Sequence, residues 1–135
     1  MRSVDPKGEK LPEIFSKIPK DTPIIMINLL KFREKAAYPD GSISCSGREA
    51  YTTYSKTALK AVKKLGGKPF WMGRVFACVI APEGEEWDGA LLVQYPSINA
   101  FMEMTALPEY RKCTVHRTAA LEDSRLIATV ETDEL

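Results

Sequence analysis

Hydrophobic and polar residues follow regular patterns in six segments of this chain, and the order of these segments predicts the fold. They are a strand over residues 24–32, a helix over 47–65, strands over 70–80 and 87–95, a helix over 98–120 broken at Pro108, and a strand over 124–131. The order β-α-β-β-α-β is that of the split ferredoxin-like unit. We therefore predict an α+β domain in which two helices cover one face of a four-stranded antiparallel sheet.

The first strand predicts a second cover for that sheet. Residues 24–32 read Ile-Ile-Met-Ile-Asn-Leu-Leu-Lys-Phe, which is apolar in both alternating registers, as in strands that are buried on two faces. One copy of the chain supplies helices to only one face. The pattern therefore predicts an isologous homodimer, in which a second copy covers the other face.

The first long helix has the clearest boundaries. Ser46 and Glu49 have the spacing of a capping box, and Gly66 follows the helix as a stop signal. The apolar residues between them recur at helical spacing and are Tyr51, Tyr54, Ala58, Ala61, Val62 and Leu65. We expect this stripe to face the core, with both tyrosines acting as core residues rather than proton donors.

The N-terminal segment differs in composition from the rest. Residues 1–22 are rich in Pro, Lys and Glu and predict an arm with a short helix over 11–18, ahead of a single domain over residues 23–135. Apolar residues recur in this short helix at helical spacing, so we expect the arm to dock on the domain. A mobile tail is the alternative.

Composition and charge narrow the function classes. The chain has 135 residues, 44% hydrophobic and 27% charged, with a formal net charge of +1, so it has no strong field to attract nucleic acid or an anionic membrane. No apolar run approaches the ~20 residues of a membrane span, and the N-terminus lacks the apolar core of a signal peptide. Three cysteines without paired spacing predict neither a disulfide framework nor a zinc site. We expect a cytoplasmic protein with no cofactor, metal, nucleic-acid or membrane partner.

Six short motifs along the chain form a distinctive set. They are Asn-Leu-Leu-Lys-Phe at 28–32, Trp-x-Gly at 71–73, Trp-Asp at 87–88, Leu-Val-Gln-Tyr-Pro-Ser at 92–97, Pro-Glu-Tyr at 108–110, and the run from His116 to Arg125. This set resembles the domain of unknown function 1330 family. The similarity extends from about residue 23 to residue 130. That family belongs to the dimeric α/β barrel superfamily, in which two ferredoxin-like units pair their sheets face to face. The resemblance implies a dimeric α/β barrel and no particular activity.

Two residues are the first candidates for a site. His116 is the only histidine, so a histidine general base at neutral pH must be this residue; the alternative is that it satisfies carbonyls at a helix end. Asn28 is a polar side chain inside an apolar strand, and burying it unpaired would cost a few kcal/mol. It therefore needs a partner, either an internal hydrogen bond or a ligand.

Trp71 and Arg74 are further candidates. If Asn28 points inward, Trp71 could line the same cavity, and Arg74 could hold a carboxylate at its mouth unless it forms a surface salt bridge. Haem-degrading members of the superfamily use an asparagine, a tryptophan and a histidine. Trp71 and His116 lie far apart in this sequence, whereas the corresponding pair is close in those enzymes, so we expect no haem.

Three functions remain open. The first is binding of a small apolar or aromatic molecule through Asn28, Trp71, Arg74 and His116. The second is a cofactor-independent monooxygenase or isomerase, in which His116 is the general base and Asn28 or Arg74 stabilises an oxyanion. The third is a dimerising module whose interior is filled by side chains. Whether His116 and Asn28 face one cavity distinguishes the enzyme from the others.

Overall fold

The computed structural model describes all residues from 1 to 135 and shows one antiparallel sheet with helices. The strands are β1 (Ile24–Phe32), β2 (Lys68–Arg74), β3 (Gly89–Tyr95) and β4 (Leu121–Thr129), in the sheet order β2-β3-β1-β4. The helices are α1 (Leu11–Ser16), α2 (Gly47–Lys64), α3 (Ile98–Ala106) and α4 (Pro108–Ala120). This arrangement confirms the predicted α+β, ferredoxin-like fold. None of the helices combines the length and the apolar character that a membrane crossing requires.

The helix boundaries follow from local chemistry. Ser46 Oγ accepts from the Glu49 backbone N–H at 3.1 Å, and Glu49 Oε1 accepts from the Ser46 N–H at 3.0 Å, which completes the capping box of α2. Pro108 occupies the start of α4 after Leu107, whose backbone is extended. A proline fits a first helical turn and breaks a helix interior. The predicted break between α3 and α4 is therefore present.

The two faces of the sheet have different surroundings. Ile24, Met26, Val93 and Tyr95 are buried against α2 and α3 in the main core cluster. Successive side chains of a strand point to opposite faces, so Ile25, Ile27, Leu29, Leu92 and Ile127 lie on the other face. That face is apolar and uncovered within one chain, and Ile127 is 48% exposed.

The predicted strand over 70–80 ends early, at Arg74. Arg74 pairs with Gly89, the first residue of β3, and the Val75 N–H donates to the Asp88 carbonyl at 3.0 Å. Residues 75–88 therefore leave the sheet as a loop, because the chain offers no neighbouring strand for them. At the other end of the chain, β4 begins at Leu121 rather than at 124, directly after α4.

The N-terminal arm contacts the domain at two places. The Phe15 ring in α1 packs edge-on against Phe101 of α3, with 6.1 Å between centroids. Nearer the start of the chain, the Ser124 N–H of β4 donates to the Ser3 carbonyl at 2.8 Å, and Arg117 Nη1 donates to the Val4 carbonyl at 2.7 Å. The first residues of the arm thus lie beside the first half of the outer edge of β4, whereas α1 lies against α3.

Candidate functional site

Asn28 lies on the helix-facing side of β1, between the core residues Met26 and Leu30. Its Nδ2 donates to the Leu91 carbonyl at 3.3 Å and, more weakly, to the Met26 carbonyl at 3.5 Å. Its Oδ1 accepts no hydrogen bond within the chain. Among the buried side-chain nitrogen and oxygen atoms, only Arg33 Nε is both sealed from solvent and without a hydrogen-bond partner. Asn28 Oδ1 also has no partner but is not such a sealed atom. It therefore borders accessible space.

Four tyrosines occupy the layer between the helices and the sheet. Tyr51 and Tyr54 come from successive turns of α2, Tyr110 comes from α4, and Tyr95 ends β3. Tyr54 Oη and Tyr110 Oη are hydrogen-bonded at 2.9 Å. The four rings pack with Ala58, Cys113 and the main core. The otherwise apolar interior therefore contains a group of phenol hydroxyls.

Burial changes the pKa values of these four phenols in the same direction. Burial raises the pKa of Tyr51 to about 12, and the pKa values of Tyr54, Tyr95 and Tyr110 are also raised, chiefly by burial. Tyr110 and Tyr51 further raise the pKa of Tyr95, whereas the positive charge of Arg117 acts in the opposite direction on Tyr51, Tyr54 and Tyr110. All four phenols are neutral donors at physiological pH.

Two of these hydroxyls have no partner within the chain. Tyr51 Oη and Tyr95 Oη form no hydrogen bond, and because neither is a sealed, unpartnered atom, each borders accessible space. We define the interior polar cluster as the polar residues on the helix-facing side of the sheet described above, which share this layer without a hydrogen bond from Asn28 to any tyrosine: Asn28, Tyr51, Tyr54, Tyr95, Tyr110 and Arg117. It offers unused hydroxyl donors and an unused amide acceptor, the groups that would orient a small molecule with a carbonyl or hydroxyl function.

Sequence reasoning had assigned Tyr51 and Tyr54 to the core and did not connect them with Asn28. A usable signal was present, because a phenol in a buried stripe still requires a partner for its hydroxyl. The chain has five tyrosines, and four of them fall at core positions of three different elements.

His116 lies on α4 in a separate environment. Its Nδ1 is hydrogen-bonded to Tyr38 Oη at 2.7 Å, and the two rings meet edge-on with 5.5 Å between centroids. Tyr38 belongs to the loop between β1 and α2. The contact fixes one ring nitrogen of a half-buried imidazole and leaves Nε2 without a hydrogen bond to the chain. No hydrogen bond joins His116 to Asn28.

Trp71 and Arg74 lie on opposite sides of the outer strand β2. Trp71 pairs with Leu92, which places it on the uncovered face, where it is 52% exposed. Its indole covers Gly73, since a Cβ there would lie 2.8 Å from Trp71 Cζ2 and closer still to Cη2. Arg74 is exposed and pairs with Gly89, so its side chain points away from that face.

The four residues singled out from the sequence therefore do not meet within one chain. Asn28 and the tyrosines lie on the helix-facing side of the sheet without a hydrogen bond between them, His116 contacts Tyr38, and Trp71 lies on the opposite face. Two surface concavities, under the 75–88 loop and beside Pro23, are lined by none of the four. No group of three or more His, Cys, Asp or Glu side chains is placed to hold a metal ion.

Comparison with known proteins identifies the family. The sequence model described as Domain of unknown function (DUF1330) matches residues 36–130. The chain belongs to the DUF1330 family. This confirms the resemblance seen in the sequence, and the DUF1330 description assigns no function.

Solved structures agree with this assignment. The DUF1330 chain is 37% identical to RPA0582, a protein of unknown function from Rhodopseudomonas palustris, with a TM-score of 0.90, covering 99% of this chain and 100% of that one. It is 39% identical to methylated RPA0582, with a TM-score of 0.91 and coverages of 98% and 96%. No curated protein sequence matches the chain.

More distant structures share the fold alone. A dabb family protein with a ferredoxin-like fold from Mesorhizobium loti is 14% identical, with a TM-score of 0.55 and coverages of 82% and 97%. A hydroxynitrile lyase from Passiflora edulis is 9% identical, with a TM-score of 0.55 and coverages of 85% and 98%. Such a likeness supports the ferredoxin-like architecture and leaves function to be argued from the site.

Proposed function

We propose that this DUF1330 protein is a homodimer that binds a small apolar or aromatic molecule carrying a carbonyl or hydroxyl group. The observation that carries this proposal is the interior polar cluster. Asn28 Oδ1, Tyr51 Oη and Tyr95 Oη have no hydrogen bond within the chain, although all three residues lie in the largely apolar layer between helices and sheet.

A polar partner can reach these atoms. Because the three atoms border accessible space, they are open to hydrogen bonds from water or from the carbonyl or hydroxyl group of a ligand that displaces it. The neighbouring rings and Leu91 provide apolar surface for the body of a ligand. The neutral phenols donate, and the Asn28 carbonyl accepts.

The homodimer is supported by the uncovered sheet face. Ile25, Ile27 and Leu92 line it, and the Trp71 indole lies flat over Gly73 on it. An apolar face of this kind is uncommon on a stable monomer and is self-complementary when related by a two-fold axis. In the dimer, Trp71 would lie between the two sheets and Arg74 would stay at their margin.

The binding proposal is tested by NMR titration of the isotope-labelled protein with 4-hydroxybenzaldehyde and with 2-naphthol. We expect backbone shifts centred on Asn28, Tyr51 and Tyr95, and a loss of affinity of tenfold or more in Asn28→Leu and Tyr95→Phe. Arg74→Gln, a residue outside the cluster, is the matched control and should bind normally. Shifts confined to other surfaces, or affinities unchanged in both cluster variants, would contradict the proposal.

The assembly is tested separately by sedimentation velocity of the purified protein. A dimer at micromolar concentration supports the proposed pairing, and Ile27→Asp, which places a charge on the uncovered face, should convert it to a monomer. A wild-type protein that stays monomeric at about 100 µM, far above the range of a stable dimer, would contradict the pairing.

A second candidate is an isomerase in which His116 is the general base. The 2.7 Å contact between His116 Nδ1 and Tyr38 Oη favours it, because an imidazole that donates its Nδ1–H to Tyr38 Oη keeps the lone pair of Nε2 free for proton transfer. In such a reaction Nε2 would take a proton from a carbon next to a carbonyl and return it at another carbon. The test is deuterium uptake from D₂O into a panel of lactones and cyclic ketones, measured by NMR. His116→Gln should abolish the exchange. Asn28→Leu, which should weaken binding under the first proposal, should leave the exchange in place and so distinguishes the two.

A further inference from the structure

The loop after β2 contains a largely exposed apolar segment. We define the apolar arm as residues 75–81, which read Val-Phe-Ala-Cys-Val-Ile-Ala. Phe76 is 91% exposed, Val79 is 92% exposed and Ile80 is 96% exposed. Scattered exposed apolar residues are ordinary, but three large ones exposed within five residues of the chain mark an interaction surface.

The arm does not pack against its own loop. The ends of the loop are joined by the hydrogen bond from the Val75 N–H to the Asp88 carbonyl, yet the space between its limbs is an open concavity of about 540 Å³ that Phe76, Cys78 and Trp87 help to line. Closed loops of this length ordinarily fill their interior with their own side chains. This loop presents its apolar side chains to the outside instead.

The position of the arm indicates what covers it. The arm continues directly from β2, the outer strand on that side, whose Trp71 lies on the uncovered sheet face and is 52% exposed. It is therefore continuous with the uncovered sheet face on which the proposed homodimer rests. At the opposite side of the sheet, the N-terminal arm already occupies part of the β4 edge.

We propose that the apolar arm of each protomer packs against a second copy of this chain. This inference rests on the proposed homodimer. Burial of a Phe, Val or Ile side chain removes roughly 60–120 Å² of apolar surface, so the three exposed side chains supply about 300 Å² of the ~800 Å² that each partner contributes to a standard interface. The sheet face supplies the remainder, and two-fold symmetry gives each protomer one arm and one surface that receives the partner's arm.

Cys78 makes the proposal directly measurable. It is the exposed cysteine of the arm, whereas Cys45 is partly buried and Cys113 is buried. In a Cys45→Ser background, we expect Cys78 of the dimer to react with a thiol reagent at least tenfold more slowly than in the urea-unfolded chain. The triple variant Phe76→Ser, Val79→Ser, Ile80→Ser should weaken dimerisation tenfold or more, measured by sedimentation, whereas Val115→Ser, at another exposed apolar position, should not.

The outcomes separate this inference from the proposed assembly. A dimer in which Cys78 reacts as fast as in the unfolded chain, or whose affinity the triple variant leaves unchanged, overturns the arm and leaves the sheet-face dimer standing. A wild-type monomer at all concentrations overturns both. Slow reaction of Cys78 in an Ile27→Asp monomer would show that the arm folds back on its own chain, which also overturns the inference.

Discussion

The hydroxyls of Tyr54 and Tyr110 lie 2.9 Å apart and join α2 to α4 inside the protein. They form the one direct hydrogen bond between phenols in the chain. Because both rings are largely buried, this bond is a means of measuring how the interior polar cluster contributes to stability.

Replacement of either tyrosine by phenylalanine should destabilise the protein. We expect Tyr54→Phe and Tyr110→Phe each to lower the free energy of unfolding by about 1 kcal/mol, because each leaves the other hydroxyl unpaired. The double variant should cost less than the sum of the two, since it removes both polar groups. Urea unfolding of the three variants measures this, and strictly additive losses would mean that the bond does not couple the helices.

The tyrosines should also make the protein sensitive to alkali. All five have pKa values raised above the ordinary 10.0, mainly by burial. Unfolded phenols ionise near pH 10, before the folded ones, so stability is complete below pH 10 and falls as the pH rises further. Spectrophotometric titration should show little tyrosinate in the folded protein at pH 10 and half ionisation in urea; a folded tyrosine titrating normally would contradict the buried cluster.

Two glycines should respond in opposite ways to the same substitution. A Cβ on Gly47 would meet the backbone at Arg33 O, at Ala120 O (2.6 Å) and at Arg33 N (2.8 Å), and backbone cannot move aside cheaply. We expect Gly47→Ala to cost about 3 kcal/mol. Gly73→Ala meets only the end of the Trp71 indole, a side chain that shifts more easily than backbone, so it should cost less than Gly47→Ala while changing the tryptophan emission. Urea unfolding with fluorescence detection reads both effects, and equal losses at the two positions would contradict the packing described.

The capping box of α2 predicts part of the acid response. The pKa of Glu49 is lowered from 4.5 by hydrogen bonds from the backbone and side chain of Ser46. Its contribution to stability is therefore complete above pH 4.5 and is lost as the pH falls through the lower folded value. Glu49→Gln should show a shallower loss of stability than wild type between about pH 5 and about pH 3, measured by thermal unfolding, and Ser46→Ala should cost about 1 kcal/mol at neutral pH. Parallel pH profiles for wild type and Glu49→Gln would contradict this role.

Much of the fold was predictable because local patterns reflect local physics. The two-faced apolar pattern of β1, the capping box at Ser46 and the proline at 108 each correspond to an observed feature. The extension of β2 to residue 80 was wrong. Val75–Ile80 has the composition of a strand, but strand formation requires a neighbouring strand to receive its hydrogen bonds, and composition does not report whether one is present.

The candidate site was only half predictable. Asn28 was identifiable because an amide in an apolar strand requires a partner, and it lies in the interior polar cluster. The tyrosines were missed because a phenol has the same periodicity as a hydrophobic residue. Their convergence depends on how α2 packs on α4 and on which end of β3 lies beneath them, and these are long-range contacts that no local pattern specifies.

The strand order β2-β3-β1-β4 has a consequence for synthesis on the ribosome. The central strand β1 is the first to emerge, but Asn28 pairs with Leu91 and Leu126, which are made much later. Until the last strand leaves the exit tunnel, an apolar segment that prefers cover on both faces has no permanent partner, and long-range antiparallel pairing of this kind is slow and exposed to aggregation. The nascent chain of this protein should therefore depend on chaperones for most of its synthesis, and release before β4 is complete should yield an insoluble product.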